Sequence, residues 1–492
     1  MDLLRRSLFV LCAFGAGCSS PLKPTDPNYS YIECVTTNDC SRSPGNDRPL
    51  YCTSDHLCAD AVPTQNLCVT GTPAPDPETL VVASLVDRQR PSDIALEKSF
   101  ILAFAEINRR PFDNPLPRIA LVRCDTGSVD DQTVRAAQVA MGTFGARAFL
   151  GPTRSGNARR LAEYLTLNNM DVPVLTPSAT AAELSLLPDG RRLWRTAPSD
   201  AKQVKAMVEA VRNDRRAPLR RVDVLYVDNL YGRGLANDFV IQYRMQDSTP
   251  PTLGRSEPFR LSPADPDNLD LQLALENIRR DRPTHLVVIA DPPEPVLQEF
   301  VTRATDLAST LQFFLSDTGR APNIPRIIST LYATPPRYRG VSPSIPTTAS
   351  NYLRFREAYE DTFPEEDLDT QPYAAAAYDA AYVLAIAAGY GILANQPPSG
   401  PRTIPASADI LSGLQRILEG GAGPYNIVDD YGLAIRQVQR GTVALQGVTG
   451  RLAFDSNGDL VGPVTYEIWG ISTFLNPTPG PGYEYIYALT VP

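Results

Sequence analysis

Three stretches place hydroxyl groups beside small residues where an apolar run gives way to a helical pattern. GPTRSGNA (151–158) offers Ser155, TPSATAAEL (176–184) offers Ser178, Ala179 and Thr180, and DNLYGRGLA (228–236) offers Tyr231 with Gly232 and Gly234 for a tight turn. A hydroxyl in the first turn of a helix, beside backbone N–H groups that lack an intrahelical partner, can hold a carboxylate or another small anion. Ser155 would serve equally well as a plain N-cap, and Tyr231 as a tyrosine packed at a hinge. Two acids also follow apolar runs, Asp291 in ADPPEP (290–295) and Asp317 in LQFFLSDTG (311–319). Asp317 can meet an ammonium group, and Asp291 can be a ligand contact or a turn residue. In VDRQRPSD (86–93), Arg88 and Arg90 can grip a carboxylate bidentately or stand in solvent.

Bond-making chemistry finds no comparable support. The sequence has no G-x-S-x-G, Walker or H-E-x-x-H pattern. Its histidines are His56 and His285, and His285 opens the strand-like THLVVIAD at the end away from any ligand. DSNGDL (455–460) starts like a calcium loop, but Leu460 stands where the sixth position needs Gly and Tyr466 where the twelfth needs a carboxylate. It reads as the turn before the final strands. YGRGLAN lacks the third glycine of a dinucleotide fingerprint. The expectation is a binder with no catalytic residue, metal or cofactor.

The elements that position these groups are legible from periodicity. TLVVASLV (79–86), RIALVRC (118–124), ARAFLG (146–151), VPVLTP (172–177), VDVLYVD (222–228), THLVVIAD (284–291) and LQFFLSD (311–317) are continuous apolar runs, as expected of buried parallel strands. Helical stretches alternate with them, so the expected class is α/β, with doubly wound parallel sheets covered on both faces. The run is too long for one sheet, and two lobes are expected. Proline-rich stretches at 321–347 and 396–405 read as surface loops.

The ends suggest export. Arg5–Arg6, an apolar Leu8–Phe14 and small residues before Cys18 form a signal over 1–17, with Cys18 as the lipidated residue. Ser19, in place of the Asp that retains lipoproteins at the inner membrane, points to the outer membrane. Residues 18–33 read as a tether, 34–68 as a small disulfide module and 69–78 as a Pro-rich linker. Elsewhere no run approaches the ~18 apolar residues of a membrane span. Cys34, Cys40, Cys52, Cys58, Cys68 and Cys124 are disulfide candidates whose pairing stays open; their gaps are too wide for a zinc site. A net charge of −9 without a basic run argues against nucleic acid as a partner.

GPTRSGNARRLAEYLTLNNMDVPVLTPSATAAEL (151–184), LWRTAPSDAKQV (193–204), VDVLYVDNLYGRGLA (222–236), FREAYEDTF with YAAAAYDAAYVLA (355–385) and GRLAFDSNGDLVGPVTYEIWGI (450–471) occur in an order that resembles the type I periplasmic binding proteins of the leucine/isoleucine/valine-binding kind. The resemblance runs from about Thr79 to Leu489. It implies two lobes joined by three crossings, lobe one at 79–198 and 334–449, lobe two at 199–333 and 450–492. It further implies a monomer that closes on a small solute and delivers it to an ATP-driven (ABC) permease, with Ser155, Ser178 and Thr180 on the solute's carboxylate and Tyr231 reaching across from lobe two. Departures are visible: Thr318 stands where the family commonly has an acid, with Asp317 one residue earlier, and Arg154 stands where a cysteine would pair with Cys124. A ligand sensor of the same fold and a protein-interaction module with a blocked pocket are the alternatives.

Overall fold

The computed structural model describes residues 29–33, 50–52, 57–60, 67–71, 74–75, 78–110, 115–127, 130–216, 218–219, 221–245, 252–259, 269–290, 294–307, 311–321, 324–331, 338–344, 346–395, 404–472 and 482–492. Two compact units divide it, Met1–Asn66 and Leu67–Pro492. In the first, β1 (Tyr29–Glu33), β2 (Leu50–Cys52) and β3 (Leu57–Asp60) form an antiparallel sheet in the order β1-β3-β2, with Cys52 opposite Cys58 in backbone register. Cys18, Cys34 and Cys40 lie outside the described residues.

The second unit opens with β4 (Cys68–Thr70), β5 (Leu80–Val86), α1 (Pro91–Asn108), β6 (Ile119–Asp125), α2 (Asp130–Phe144), β7 (Ala148–Leu150), α3 (Ser155–Leu167), β8 (Val174–Thr176) and β9 (Leu193–Arg195). These strands make a six-stranded sheet in the order β4-β6-β5-β7-β8-β9, parallel except for β4. Cys68 faces Cys124 across the β4–β6 pair and is disulfide-bonded to it. Cys68, read from sequence as part of the small module, therefore belongs to the edge of this sheet, and residues 69–70 are strand rather than linker. Removing the entropy of a loop with a sequence separation of 56 stabilises the fold by about 4 kcal/mol.

The chain then crosses to a second lobe through α4 (Asp200–Arg212), β10 (Arg221–Val227), α5 (Leu230–Met245), β11 (Thr252–Phe259), α6 (Leu269–Asp281), β12 (His285–Ile289), α7 (Glu294–Arg303), β13 (Gln312–Leu315), α8 (Ile324–Leu331) and β14 (Tyr338–Pro343). It returns for α9 (Ser350–Thr362), α10 (Ala374–Asn395), α11 (Ser407–Leu414), β15 (Ile417–Asn426), α12 (Tyr431–Arg440), β16 (Val443–Gln446) and β17 (Arg451–Leu452). It ends in the second lobe with β18 (Val464–Ser472) and β19 (Gly482–Val491). The second sheet runs β11-β10-β12-β13-β14-β18-β19, its last two strands antiparallel, and β15-β16-β17 form a small separate sheet.

Two of the expected crossings move. β14 pairs with β13 and β18, so the return to lobe one falls after residue 343, not at 334. The stretch 321–347, expected as loop, holds α8 and β14. Leu452 and Phe454 pack into the first lobe's core, so the last crossing lies beyond them, not at 450.

Strand periodicity explains the layering. On β5, Leu80, Val82 and Val86 enter one core while Val81, Ala83 and Leu85 enter another; on β12, Leu286 and Val288 part from Val287 and Ile289 in the same way. Successive side chains point to opposite faces, so an apolar run buries both faces of its sheet. Helix α10 is the core helix of lobe one. Its segment Ala374–Ile392 is long and apolar enough to cross a membrane, contrary to the sequence expectation, but 94% of it is buried inside the protein. Its many alanines allow α1, α11 and α12 to approach closely.

Gly340 on β14 lies opposite Trp469 on β18, and a Cβ there would stand 1.9 Å from the indole. The Gly340→Ala variant is expected to lose about 1–3 kcal/mol through displacement of the buried Trp469. Urea unfolding measures this, and an unchanged midpoint would contradict it.

Candidate functional site

Between the lobes of the second unit lies a cleft with about 730 Å³ of empty space, its mouth included. Its walls come from the C-terminal ends of strands, where open α/β sheets leave helix N-termini and loops exposed.

In lobe one, the turn after β5 brings Arg90 and Asp93, the turn after β7 brings Thr153, Arg154 and Ser155, and the turn after β8 brings Ser178 and Thr180. These groups are ordered by each other. Asp93 accepts a hydrogen bond from Thr153, accepts another from the backbone N–H of Asp87 at 3.1 Å, and lies 3.5 Å from the Arg90 guanidinium. Arg154 pairs with Asp87 at 3.1 Å. Burial pushes the Asp87 carboxyl up, and Arg154 opposes that shift. Ser155 is the first residue of α3, with Arg154 at the N-cap, and its hydroxyl accepts from the Ala181 N–H at 3.2 Å. Ser178 donates to the Thr153 carbonyl at 3.0 Å. The hydroxyls thus tie the turns after β7 and β8 together while facing the cleft.

In lobe two, Tyr231 sits in the first turn of α5. A Cβ on Gly232 would stand 2.0 Å from the Val227 carbonyl, so only glycine lets α5 approach the end of β10 this closely. Tyr231 donates to Asp317 at 2.6 Å. The same carboxylate accepts from Gln203 of α4 at 2.6 Å and from Tyr373 at 2.5 Å. Tyr373 belongs to lobe one, just before α10, so the Tyr373–Asp317 hydrogen bond spans the two lobes. Burial, and then the charge of Asp317, pushes both phenols well above the usual tyrosine range, which keeps them donors.

Of the residues singled out in the sequence, Ser155, Ser178, Thr180, Tyr231 and Asp317 line the cleft. Ala179 does not: it is fully buried, packs in the core and donates its N–H to Thr176 at 3.0 Å. Asp291 lies outside the described residues. Tyr231 does not cross the cleft but bonds within its own lobe, and Tyr373 makes the crossing contact instead. Arg90 is buried in the cleft wall, whereas Arg88 turns to Glu97 at 3.4 Å. Arg90 and Arg154 leave the cleft open. His285 is fully buried against Asp214 at 3.4 Å, away from the cleft. Among the described residues no cluster of His, Cys, Asp and Glu has the makings of a metal site. Gln203, Gln371 and Tyr373 were missed; QPY at 371–373 is a polar step immediately before an alanine-rich helix, which is the local signal that could have found two of them.

A family model described as "Receptor family ligand binding region" matches residues 95–473. A chemotactic signal transduction system substrate-binding protein, BasB of Halobacterium salinarum, is 27% identical over 327 residues, which is 62% of this chain and 68% of that protein. Among solved structures, the branched-chain amino acid transporter substrate-binding protein LivJ of Streptococcus pneumoniae, in complex with isoleucine, superposes with a TM-score of 0.59 at 19% identity, covering 83% of this chain and all of that one. The leucine-binding protein LivK of Thermotoga maritima gives 0.58 at 18% identity, covering 83% of this chain and 98% of that one. These relatives are binding proteins rather than enzymes, and the likeness to the solved structures is one of fold.

Asp317→Ala leaves three buried donors without their acceptor and is expected to cost at least about 2 kcal/mol, against about 1 kcal/mol for Tyr373→Phe, which removes one bond. Chemical unfolding of the two variants compares them, and equal losses would contradict Asp317 as the shared acceptor.

Proposed function

Because the chain belongs to the receptor-family ligand-binding-region family and has the fold of the type I periplasmic binding proteins, we propose that it is a lipid-anchored solute-binding protein of the cell envelope. It closes two lobes on a small polar ligand, an amino acid or a related small carboxylate or amide, and delivers it to an ABC importer. The observation that carries this reading is the cleft itself, with hydroxyls and two arginines, Arg90 and Arg154, on one wall and a buried carboxylate that meets both lobes. In this reading Ser155, Ser178 and Thr180 receive the ligand's anionic end, and Tyr231 and Asp317 complete the site from lobe two. Closure is a two-state equilibrium biased by a ligand that contacts both lobes. The Tyr373–Asp317 hydrogen bond, which joins the two lobes at this point, supports the reading that a donor on one side and a carboxylate on the other serve closure.

A second reading is a sensor of the same fold that reports ligand to another protein. It draws on the chemotactic system in the name of the Halobacterium relative. Loss of solute uptake on gene deletion marks transport; normal uptake with a lost behavioural response marks sensing.

A thermal-shift screen against amino acids, small carboxylates, amides and ureas tests solute binding. A ligand at a hundredfold excess over its Kd stabilises the folded state by about 2.7 kcal/mol. One chemical class is expected to raise Tm, and Ser155→Ala or Thr180→Ala to abolish the rise; a flat response across the panel counts against the reading. For the anchor, Cys18→Ser is expected to move the protein from the membrane fraction to the soluble fraction, and its retention there would exclude lipidation at Cys18.

A further inference from the structure

One buried acid takes no part in the site as described. Asp200, the first residue of α4, is 1% exposed, and its carboxyl oxygens make no well-formed hydrogen bond, the Thr180 hydroxyl being the one side-chain donor beside them. Gln203, one turn further along α4, bonds to Asp317 at 2.6 Å, so Asp200 stands on the helix turn that meets that carboxylate, and the two charges interact. Asp317 has three donors, from Gln203, Tyr231 and Tyr373, and so is equipped to carry a negative charge. Two like charges cannot both be held in a buried site at little cost, and the member with the poorer set of donors gives way.

The other groups around Asp200 do not alter this. Thr180, from the turn after β8, and Arg195, at the end of β9, favour the charged form, and Asp238 of α5 opposes it. Arg195 is already engaged by Asp459 at 2.6 Å, by the carbonyls of Thr180 and Ala181 and by Ser185. Tyr231, Tyr373 and Tyr466 of β18 sense both acids; the first two donate to Asp317 as neutral phenols, while the buried Tyr466 hydroxyl bonds to neither acid. The N-terminus of α4 favours an anion, but Asp200 accepts no hydrogen bond from it. Burial first, and Asp317 second, raise the Asp200 carboxyl well above the usual range.

We propose that Asp200 is held as the neutral acid beside a charged Asp317, so that the wall of the cleft stores a proton and responds to pH. One consequence rests on the solute-binding reading above: a solute that brings a positive group to Asp317 expels this proton, and one that brings a negative group retains it. The stored proton itself is a property of the empty protein, and its test needs no solute.

A raised carboxyl in the folded state contributes stability that is present below the unfolded value, about 3.9, and is lost as pH rises toward the folded one. Asp200→Asn keeps the shape of the neutral acid and removes the titration. Unfolding constants of the wild type and Asp200→Asn, measured between pH 5 and 7, are expected to diverge by up to about tenfold per pH unit, with the variant the more stable at pH 7. In an Asp317→Asn background the same comparison is expected to diverge less, because the like charge is gone. A wild-type to Asp200→Asn ratio that stays constant across this range overturns the proposal. Infrared spectroscopy in an Asp379→Asn background, which removes the other buried acid pushed up to about 7, gives an answer even if the Asp200 variant fails to fold: a protonated carboxyl band at pH 7 is expected, and its absence overturns the proposal. A flat solute screen with a diverging ratio would refute the solute reading and leave the stored proton standing.

Discussion

A guanidinium with 1% exposure holds the hinge region of this protein together. Arg195 ends the last strand of the first sheet, and its donors go to the Asp459 carboxylate, the Thr180 and Ala181 carbonyls and the Ser185 hydroxyl. A buried arginine is tolerated only when its charge is matched and its N–H groups are used. Both conditions are met by segments that must be kept in place. Thr180 lines the cleft, and Asp459 sits in the turn that precedes the last crossing. The backbone of Gly458 also accepts from the Arg195 N–H at 2.9 Å. The turn DSNGDL is therefore an anchor for a buried cation on the protein's own chain.

Among the described residues two acids line the cleft, and they are held in different ways. Asp93 is matched by Arg90 and a threonine hydroxyl, so lobe one presents a nearly neutral, pre-ordered wall. Asp317 is held by an amide and two phenols, none of them charged. Its negative charge stays uncompensated by any ion pair. Electrostatics and hinge geometry meet at this residue: one of the phenols belongs to the opposite lobe, so separating the lobes removes a donor from a buried carboxylate.

Much of this architecture was legible because it is local. Continuous apolar runs such as 79–86 marked strands buried on two faces, and hydroxyls after 146–151 and 172–177 marked the cleft wall. The crossing after residue 343 was hidden because YRGVSP lies among prolines and takes its strand identity from β13 and Trp469, far away in sequence. Helix α10 defeated the membrane-span expectation because its alanines count as apolar in composition, and only packing shows where they lie. Tyr373 and Gln203 were not legible as site residues, since their role is defined by a carboxylate 56 and 114 positions away. The Cys68–Cys124 bond joins a residue that the sequence reading placed in the small disulfide module to a strand of the first sheet, a pairing that spacing alone leaves open.

That bond also determines where a pull on the chain is felt. Tension applied upstream of Leu67 passes through the sulfurs to β6, inside the first sheet, and bypasses the segment between them. Residues 69–123, with β5, α1 and the arginine-bearing turn of the cleft, lie outside the covalent line of that load. A pull on the chain before Leu67 thus reaches the sheet without running along the backbone of the binding wall.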